Sequence, residues 1–127
     1  EGFLLSPVLD AQKGNYYQAL YQWQDGKLVE LAGTEVVNKE HLLERIAEYN
    51  LPALILGECK KLEKLELPNG VKLAPKTLLM PKASSVAFIA EQEFDPEADK
   101  KIFGLEPYYI RRSEAEELWE QRQQKQQ

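Results

Sequence analysis

The chain has 127 residues, which is the size of one domain on the usual scale of about 100–200 residues. Its 16 basic and 21 acidic residues give a net charge of −5, which argues against a free-standing nucleic-acid-binding domain, since such domains are usually basic. Hydrophobic residues make up 43% of the chain and charged residues 29%, a balance typical of a globular protein and not of a disordered one.

Three further features limit where the protein works. The longest apolar run, residues 51–57, is far shorter than the ~20 residues that a membrane-spanning helix needs. The single cysteine, Cys59, has no partner for an internal disulfide, which indicates a reducing, cytoplasmic environment. Glu1 is not a methionine and no signal-type segment follows it, so we expect a piece of a longer chain.

The first third of the chain is predicted to be β-structure. Residues 3–10 are apolar, and Pro7 within them indicates an edge strand or a bulge. Residues 16–23 alternate in the manner of a half-buried strand, and Asp25-Gly26 predicts a tight hairpin into a returning strand over residues 27–31. One face of the alternating strand is expected to hold its large apolar side chains and the other its glutamines: Tyr17, Ala19, Tyr21 and Trp23 against Gln18 and Gln22.

The middle of the chain is predicted to be a helix followed by a buried strand. The returning strand is expected to break at residues 32–34, and Asn38 can cap a helix over residues 39–49 that Pro52 ends. The short apolar run over residues 53–57 is typical of a strand covered on both faces. The helix has one apolar stripe: Leu42, Leu43, Ile46 and Ala47.

The remaining segments are less regular. Residues 59–67 are predicted as a short helix, and a turn and an irregular stretch follow as far as Pro81. Residues 83–94 predict an amphipathic helix whose small residues let it lie close on a sheet. A capping box at Ser113 and Glu116 predicts a last helix over residues 114–122. The fold class is therefore α/β, a mixed β-sheet of about five strands with flanking helices, in the order βββαβα and then the last helix.

The inventory of reactive residues predicts no catalytic and no metal site in this chain. None of the seven glycines has the spacing of a phosphate-binding loop, and neither a zinc motif nor a serine-nucleophile motif occurs. His41 is expected to be a solvated side chain near a helix start, with a ligand role as the alternative. Cys59, beside two lysines, is expected to be structural, with a reactive thiol as the alternative.

Two segments together form a family signature. Residues 7–21, PVLDAQKGNYYQALY, are similar to a hairpin written P-x-(I/L)-D-A-R-x-G-E-V-Y-x-A-x-Y, and residues 105–116, LEPYYIRRSEAE, to a closing L-x-P-x-Y-(L/I)-R-x-x-x-A-E. Between them lie the expected helix, the strand ending at Gly57 and the helix over residues 83–94. In these features the chain resembles the second half of the TsaB (YeaZ) family over nearly its whole length.

The resemblance implies a fold and a role. The fold would be one half of an actin-like/Hsp70-like (ribonuclease H-like) ATPase, with residues 1–112 as the C-terminal α/β domain and residues 113–127 as a C-terminal helix and tail. The family is bacterial and cytoplasmic. Its members are non-catalytic partners of the enzyme TsaD, with TsaE as a third component, in threonylcarbamoylation of N6 of the tRNA adenosine next to the anticodon.

The same resemblance implies how this piece takes part. Contact with TsaD lies mainly on the absent N-terminal half, and tRNA is met indirectly through the complex. No cofactor is expected in this domain. A homodimer through the uncovered inter-domain face is a secondary expectation. Two other classes stay open: a glycoprotease-type peptidase or ATPase of the actin-like superfamily, and a plain α/β interaction module.

The resemblance also names candidate site residues. Asp10 and Gly14 lie in the hairpin that faces the inter-domain cleft in the family, and they are the candidate cofactor-binding residues. Where the family has arginine and glutamate this chain has Gln12 and Asn15, a departure that bears directly on any nucleotide contact. Arg111-Arg112 is the candidate contact for tRNA or a partner, with ion pairs to the nearby glutamates as the alternative.

Overall fold

The computed structural model describes residues 2–57, 62–64, 66–95, 104, 106–110, 119 and 122–123. The chain forms two compact units, residues 1–95 and 96–127, and the elements that follow all belong to the first. These elements are, in chain order, β1 (Leu4–Asp10), β2 (Asn15–Gln24), β3 (Lys27–Asn38), α1 (Lys39–Ala47), β4 (Ala53–Gly57), β5 (Val71–Leu73), a 3-10 turn (Lys76–Leu78) and α2 (Ala83–Gln92).

The five strands form one mixed sheet in the order β3-β2-β1-β4-β5. The pairs β1–β2 and β2–β3 are antiparallel, whereas β1–β4 and β4–β5 are parallel. Antiparallel partners follow one another through hairpins, and α1 makes the crossover that the parallel pair β1–β4 requires. The predicted α/β class with a mixed five-stranded sheet is thus confirmed.

The core of the first unit is a single apolar cluster between the sheet and α1. Its members come from every strand but β5, from α1 and from the turn over residues 62–64. They are Leu4, Val8, Tyr16, Leu20, Val37, Leu42, Ile46, Ala53, Ile55 and Leu62. Burial of this cluster removes apolar surface from water, and it is the main stabilising contribution that the structure shows.

Pro7 lies in the central strand of the sheet, so its prediction as an edge residue is wrong. β1 pairs with β2 on one side and with β4 on the other. Pairing with β2 runs through Leu5–Tyr21 and resumes at Val8–Gln18, in unchanged register. Proline has no N–H to donate, and a gap in one ladder lets the central strand contain it.

The buried face of β2 also differs from the prediction. The fully buried side chains are Tyr16, Gln18 and Leu20, and Ala19 is buried on the other side. Trp23, predicted to share the apolar face, is about half exposed. Alternation alone favoured the aromatic face, but α1 lies over the other face, where Gln18 finds hydrogen-bond partners.

β3 does not break at residues 32–34 as expected. It continues to Asn38 as a strand of 12 residues, and its register against β2 shifts between Gln18 and Leu20 and again between Leu20 and Tyr21. Extra residues are absorbed as bulges and not as a chain break, which lets the edge strand run the full length of its partner.

Helix α1 begins where predicted and ends two residues earlier than predicted. The Asn38 side chain accepts a hydrogen bond from the His41 backbone N–H at 2.8 Å, which is the expected cap. Leu42 and Ile46 are buried, but Ala47 is exposed and Arg45 takes its place in the buried stripe.

The segment after β4 contains a strand that the sequence did not predict. A turn closed by the Val71 N–H donating to the Pro68 carbonyl at 3.0 Å leads into the three residues of β5. β4 itself is confirmed, with Ala53 and Ile55 buried. The short helix predicted over residues 59–67 falls largely outside the described residues, apart from the turn over 62–64.

Helix α2 confirms the predicted helix but not its expected position on the sheet. None of its residues is buried, and its cap residue Lys82 makes no side-chain cap bond. Further along, Ser113, Glu116 and most of the predicted helix over 114–122 lie outside the described residues. The predicted boundary between residues 112 and 113 lies there too and stays a prediction.

Candidate functional site

Three chain ends meet at one edge of the sheet. β1 ends at Asp10, the parallel strand β4 ends at Gly57, and β3 ends at Asn38, which pairs with Asn15 of β2. In α/β sheets the carboxyl ends of parallel strands are where ligands bind. We call this region the Asp10 edge; it consists of the turn over residues 10–15, the first turn of α1 and Gly57.

The turn over residues 10–15 is held by its own backbone and by Asp10. The Asp10 carboxylate accepts a hydrogen bond from the Gln12 backbone N–H at 2.8 Å. The Ala11 N–H donates to the Asn15 carbonyl at 3.0 Å and the Asn15 N–H to the Gln12 carbonyl at 2.9 Å. Asp10 therefore has a structural role in shaping the turn, whatever else it binds.

The backbone of this turn is left-handed at three consecutive residues. Gln12, Lys13 and Gly14 have φ values of 64°, 51° and 82°. Only glycine adopts such values without steric cost, so Gln12 and Lys13 hold strained conformations. A Cβ at Gly14 would meet nothing within 4 Å, so its backbone is open on that side. The structure places Asp10 and Gly14 together, and their cofactor role stays a prediction.

Gly57 is a residue of this edge whose role the sequence did not reveal. Its φ is 98°, and a Cβ there would overlap the Val8 carbonyl oxygen of β1. Gly57 pairs with Val8, so β1 and β4 approach closely at the point where both leave the sheet. A glycine at the end of an apolar run is the only sequence signal of this contact.

The first turn of α1 adds polar groups to the same edge. The His41 ring nitrogen Nδ1 lies 3.2 Å from the Glu44 carboxylate, and both side chains are exposed. This is the solvated position that the sequence predicted for His41. Among the described residues no group of three or more His, Cys, Asp or Glu side chains is arranged to hold a metal ion.

Several predicted residues cannot be placed. Cys59, Arg111 and Arg112 lie outside the described residues, so the suggested thiol chemistry and the suggested tRNA or partner contact stay predictions. Within the described part of the chain, no helix is long and apolar enough to cross a membrane.

A buried polar network beside the site was missed by sequence reasoning. Gln18 donates from Nε2 to the Ser6 hydroxyl at 2.9 Å and to the Leu42 carbonyl at 3.1 Å. Arg45 Nη1 donates to the Gln18 carbonyl at 3.2 Å and to its Oε1 at 3.3 Å. Among the described residues, no buried side-chain nitrogen or oxygen lacks a partner. The sequence signal was an arginine inside a helical stripe otherwise formed by Leu42 and Ile46.

A second polar pair links β2 to β3. The Tyr21 hydroxyl donates to the Glu30 carboxylate at 2.9 Å. Burial raises the pKa of the Tyr21 hydroxyl above its ordinary value, and the hydrogen bond and negative charge of Glu30 raise it further. At neutral pH this pair is a neutral donor on a carboxylate, and it acts as a cross-strand contact.

Comparison with known proteins identifies relatives of half the size. No family model matches the chain. The tRNA threonylcarbamoyladenosine biosynthesis protein TsaB of Bacillus subtilis is 32% identical over 120 residues, which cover 91% of this chain and 51% of that protein. A crystal structure of an uncharacterized protein with similarity to peptidase YeaZ from Pseudomonas aeruginosa matches with a TM-score of 0.55 and 21% identity, over 87% of this chain and 50% of the other.

The two comparisons agree with the motifs. The structural match fits the expected actin-like (ribonuclease H-like) half-fold, because it pairs nearly the whole chain with half of a YeaZ-like molecule. The sequence match to TsaB spans the same fraction. The chain spans about half the length of the relatives it matches, and the predicted resemblance is confirmed: the chain is homologous to about half of a TsaB protein.

Proposed function

We propose that this chain is the C-terminal half of a TsaB-like protein, which takes part without catalysing in the synthesis of N6-threonylcarbamoyladenosine in tRNA. The observation that carries the proposal is the 32% identity to TsaB across 91% of the chain. The order of the two motifs, hairpin first and closing signature last, supports assignment to the second half. The place of action is then the bacterial cytoplasm.

The proposed role is support of a complex. A TsaD-like subunit and a TsaE-like ATPase are the proposed partners, met mainly through the other half of the protein, and tRNA is met through the assembled complex. The Asp10 edge is the proposed face toward the cleft between the two halves, because it joins the family hairpin to the carboxyl ends of β1 and β4. Asp10 and Gly14 are the proposed points of nucleotide approach.

The proposal that this half is not an enzyme draws support from how its buried polar groups are used. Ser6, Gln18 and Arg45 bond to one another and to backbone carbonyls, which is a packing role. The rival proposal, a peptidase, is favoured by the name of the structural neighbour, whose likeness at 21% identity concerns the fold. The two proposals differ in whether the protein cleaves a peptide by itself.

The first experiment is reconstitution with the full-length protein that contains this chain. It is mixed with TsaD-like and TsaE-like proteins, ATP, bicarbonate, threonine and tRNA, and threonylcarbamoyladenosine is measured by mass spectrometry. We expect modification only when the protein is present, and no cleavage of peptide substrates by the protein alone. Peptide cleavage without any effect on tRNA modification would support the peptidase and overturn the proposal.

A variant pair tests the Asp10 edge in the same assay. Asp10→Ala removes the carboxylate of the family hairpin, and Asp25→Ala is the matched control, because Asp25 lies in the other hairpin turn, away from this edge. We expect reduced modification for the first and none for the control. For the candidate tRNA or partner contact, Arg111→Ala with Arg112→Ala is compared with Arg122→Ala, and a shift in tRNA affinity confined to the first pair supports it.

Self-association is tested separately. Light scattering of the full-length protein gives its mass in solution, and a monomer at concentrations far above those used in the assay contradicts the proposed homodimer. Partner binding is measured on the same sample.

A further inference from the structure

Strand β3 is longer than the part of β2 that it faces. Pairing from the hairpin runs from Gln24–Lys27 to Tyr21–Glu30, and pairing from the other end runs from Asn15–Asn38 to Gln18–Glu35. Between these segments, three steps along β2 face five steps along β3, so β3 has two extra residues. Gly33 and Thr34 together face Ala19, and Leu31 is inserted between the Leu20 and Tyr21 pairs.

The hydrophobic pattern of β3 does not determine this register. Slipping a strand by one residue exchanges its faces, but slipping it by two returns every side chain to the face it had. A regular β3, continued from the Asp25-Gly26 hairpin, would place Gly33 opposite Gln18 and Val36 opposite Asn15. Burial is similar in the two registers, so another interaction has to select the one observed.

Two donors beside α1 bond to the extra residues themselves. Arg45 Nη2 donates to the Gly33 carbonyl at 3.1 Å, and the Tyr49 hydroxyl donates to the Leu31 carbonyl at 3.3 Å. The two side chains are four residues apart, which places them on one side of α1 and its terminal turn. Each of the two irregularities in β3 thus has its own donor.

Arg45 distinguishes the two registers more strongly than a neutral donor would. Its side chain is only 7% exposed, and a buried cation is costly unless its N–H groups are hydrogen-bonded. Its acceptors are the Gln18 carbonyl and amide oxygen, the Gly33 carbonyl and, at 3.5 Å, the Glu35 carboxylate. A slip of two residues would move the β3 acceptors by about 6–7 Å, beyond reach of the guanidinium.

We infer that Arg45 and Tyr49 fix the bulged register of β3, and that they thereby position the start of α1 opposite Asn15 at the Asp10 edge. They are positioning residues: the two-residue offset sets where Asn38 caps the helix relative to the turn over residues 10–15. The inference rests on the observed contacts and holds whether or not the proposed function is correct.

The test measures register directly in the 127-residue chain by NMR. Cross-strand NOEs report which residues of β2 and β3 face each other, in the wild type, Arg45→Met, Tyr49→Phe and the double variant. In the double variant we expect contacts between Gln18 and Glu35 to be replaced by contacts between Gln18 and Gly33. Contacts between Gln24 and Lys27 should be unchanged, because the hairpin fixes them.

Two milder variants keep the test decisive if Arg45→Met does not fold. Arg45→Lys keeps the charge but replaces the planar fork by one amine that cannot bond to all of the acceptors. Tyr49→Phe removes one hydroxyl, with Tyr21→Phe as the control, since Tyr21 bonds to a side chain and not to a bulge carbonyl. For both milder variants we expect amide exchange in residues 31–36 to accelerate by about tenfold, and no such change in the control.

Unchanged Gln18–Glu35 contacts in a folded double variant would overturn the inference, since only stability would then depend on the two donors. Amide exchange at wild-type rates in both Arg45→Lys and Tyr49→Phe would overturn it as well.

Discussion

The two helices of the first unit have similar lengths and different degrees of burial. α1 has nine residues, a side-chain cap from Asn38, and three buried side chains, Leu42, Arg45 and Ile46. α2 has ten residues, no side-chain cap bond and no buried residue, with Ile89 half exposed. An apolar stripe therefore predicts that a helix forms, but the polar anchors decide where it packs.

The anchors of α1 are hydrogen bonds to the strands beneath it. Arg45 and the Leu42 carbonyl join the helix to Gln18, and Tyr49 bonds to the Leu31 carbonyl just beyond the helix. Such bonds are directional, so they specify one position of the helix where apolar contacts alone allow several. In α2 the residues from Ala83 to Ala90 include no charged side chain, and the structure shows no such bond.

The largest contrast is expected from matched truncations in the two helices. Ile46→Ala should lower the free energy of unfolding by about 2–5 kcal/mol, because Ile46 is 1% exposed and its loss leaves a cavity. Ile89→Ala should change it by no more than about 0.5 kcal/mol, because that side chain is half exposed. Urea unfolding followed by circular dichroism measures both. Equal costs would show that α2 is packed as firmly as α1.

A second test concerns the strand that follows α1. Gly57→Ala should cost about 3 kcal/mol, because the added methyl group overlaps the Val8 carbonyl and the backbone has positive φ. Gly14→Ala is the control: its φ is also positive but the space around it is open, so about 1–2 kcal/mol is expected. If both variants lose the same stability, the close approach of β1 and β4 is not a source of constraint.

The helix caps give a smaller difference. Asn38→Ala should cost about 1 kcal/mol, because it removes the acceptor of the His41 N–H. Lys82→Ala, at the matching position of α2, should be close to neutral, because Lys82 makes no side-chain cap bond. Thermal unfolding of the two variants beside the wild type is sufficient. A greater loss for Lys82→Ala would contradict the distinction between the helices.

The smallest effect is a pH dependence at Tyr21, on the strand that both network and bulge involve. Its folded-state pKa is raised by burial and by Glu30, so the folded state favours the protonated hydroxyl. Stability from this pair is therefore present below pH ~10 and is lost as the pH rises through the raised pKa. The difference in unfolding free energy between wild type and Tyr21→Phe should shrink from pH 8 to pH 11; a constant difference would contradict this.

Local chemistry was enough to predict many of the elements. Asp25-Gly26 predicts a hairpin, and both residues have the positive φ that a two-residue turn demands, 49° and 76°. Asn38 predicts the helix start for a similarly local reason, since its acceptor and the donor lie three residues apart. These features depend only on neighbours in sequence.

Features that depend on distant partners could not be predicted in this way. Gln18 and Arg45 are residue types usually found at the surface, and they are buried because each satisfies the other across 27 positions of sequence. Pro7 is tolerated in a central strand because the ladder to β2 is interrupted there. The position of α2 depends on what lies against it, which its own sequence does not state.

The candidate site divides in the same manner. The turn at Asp10 and Gly14 could be located from sequence, because aspartate and glycine shape turns locally. Its neighbours Gly57 and Asn38 come from other strands, so only the sheet order brings them to the same edge.

The most direct measurement is a chimera of Bacillus subtilis TsaB in which this chain replaces the homologous C-terminal half. The chimera is expressed in cells that lack their own TsaB, and threonylcarbamoyladenosine in total tRNA is measured by mass spectrometry. We expect the modification to be restored by the chimera and not by the same chimera carrying Ile46→Ala together with Gly57→Ala. A chimera that unfolds cooperatively, as the parent does, yet leaves the tRNA unmodified would contradict the assignment of this chain to TsaB function.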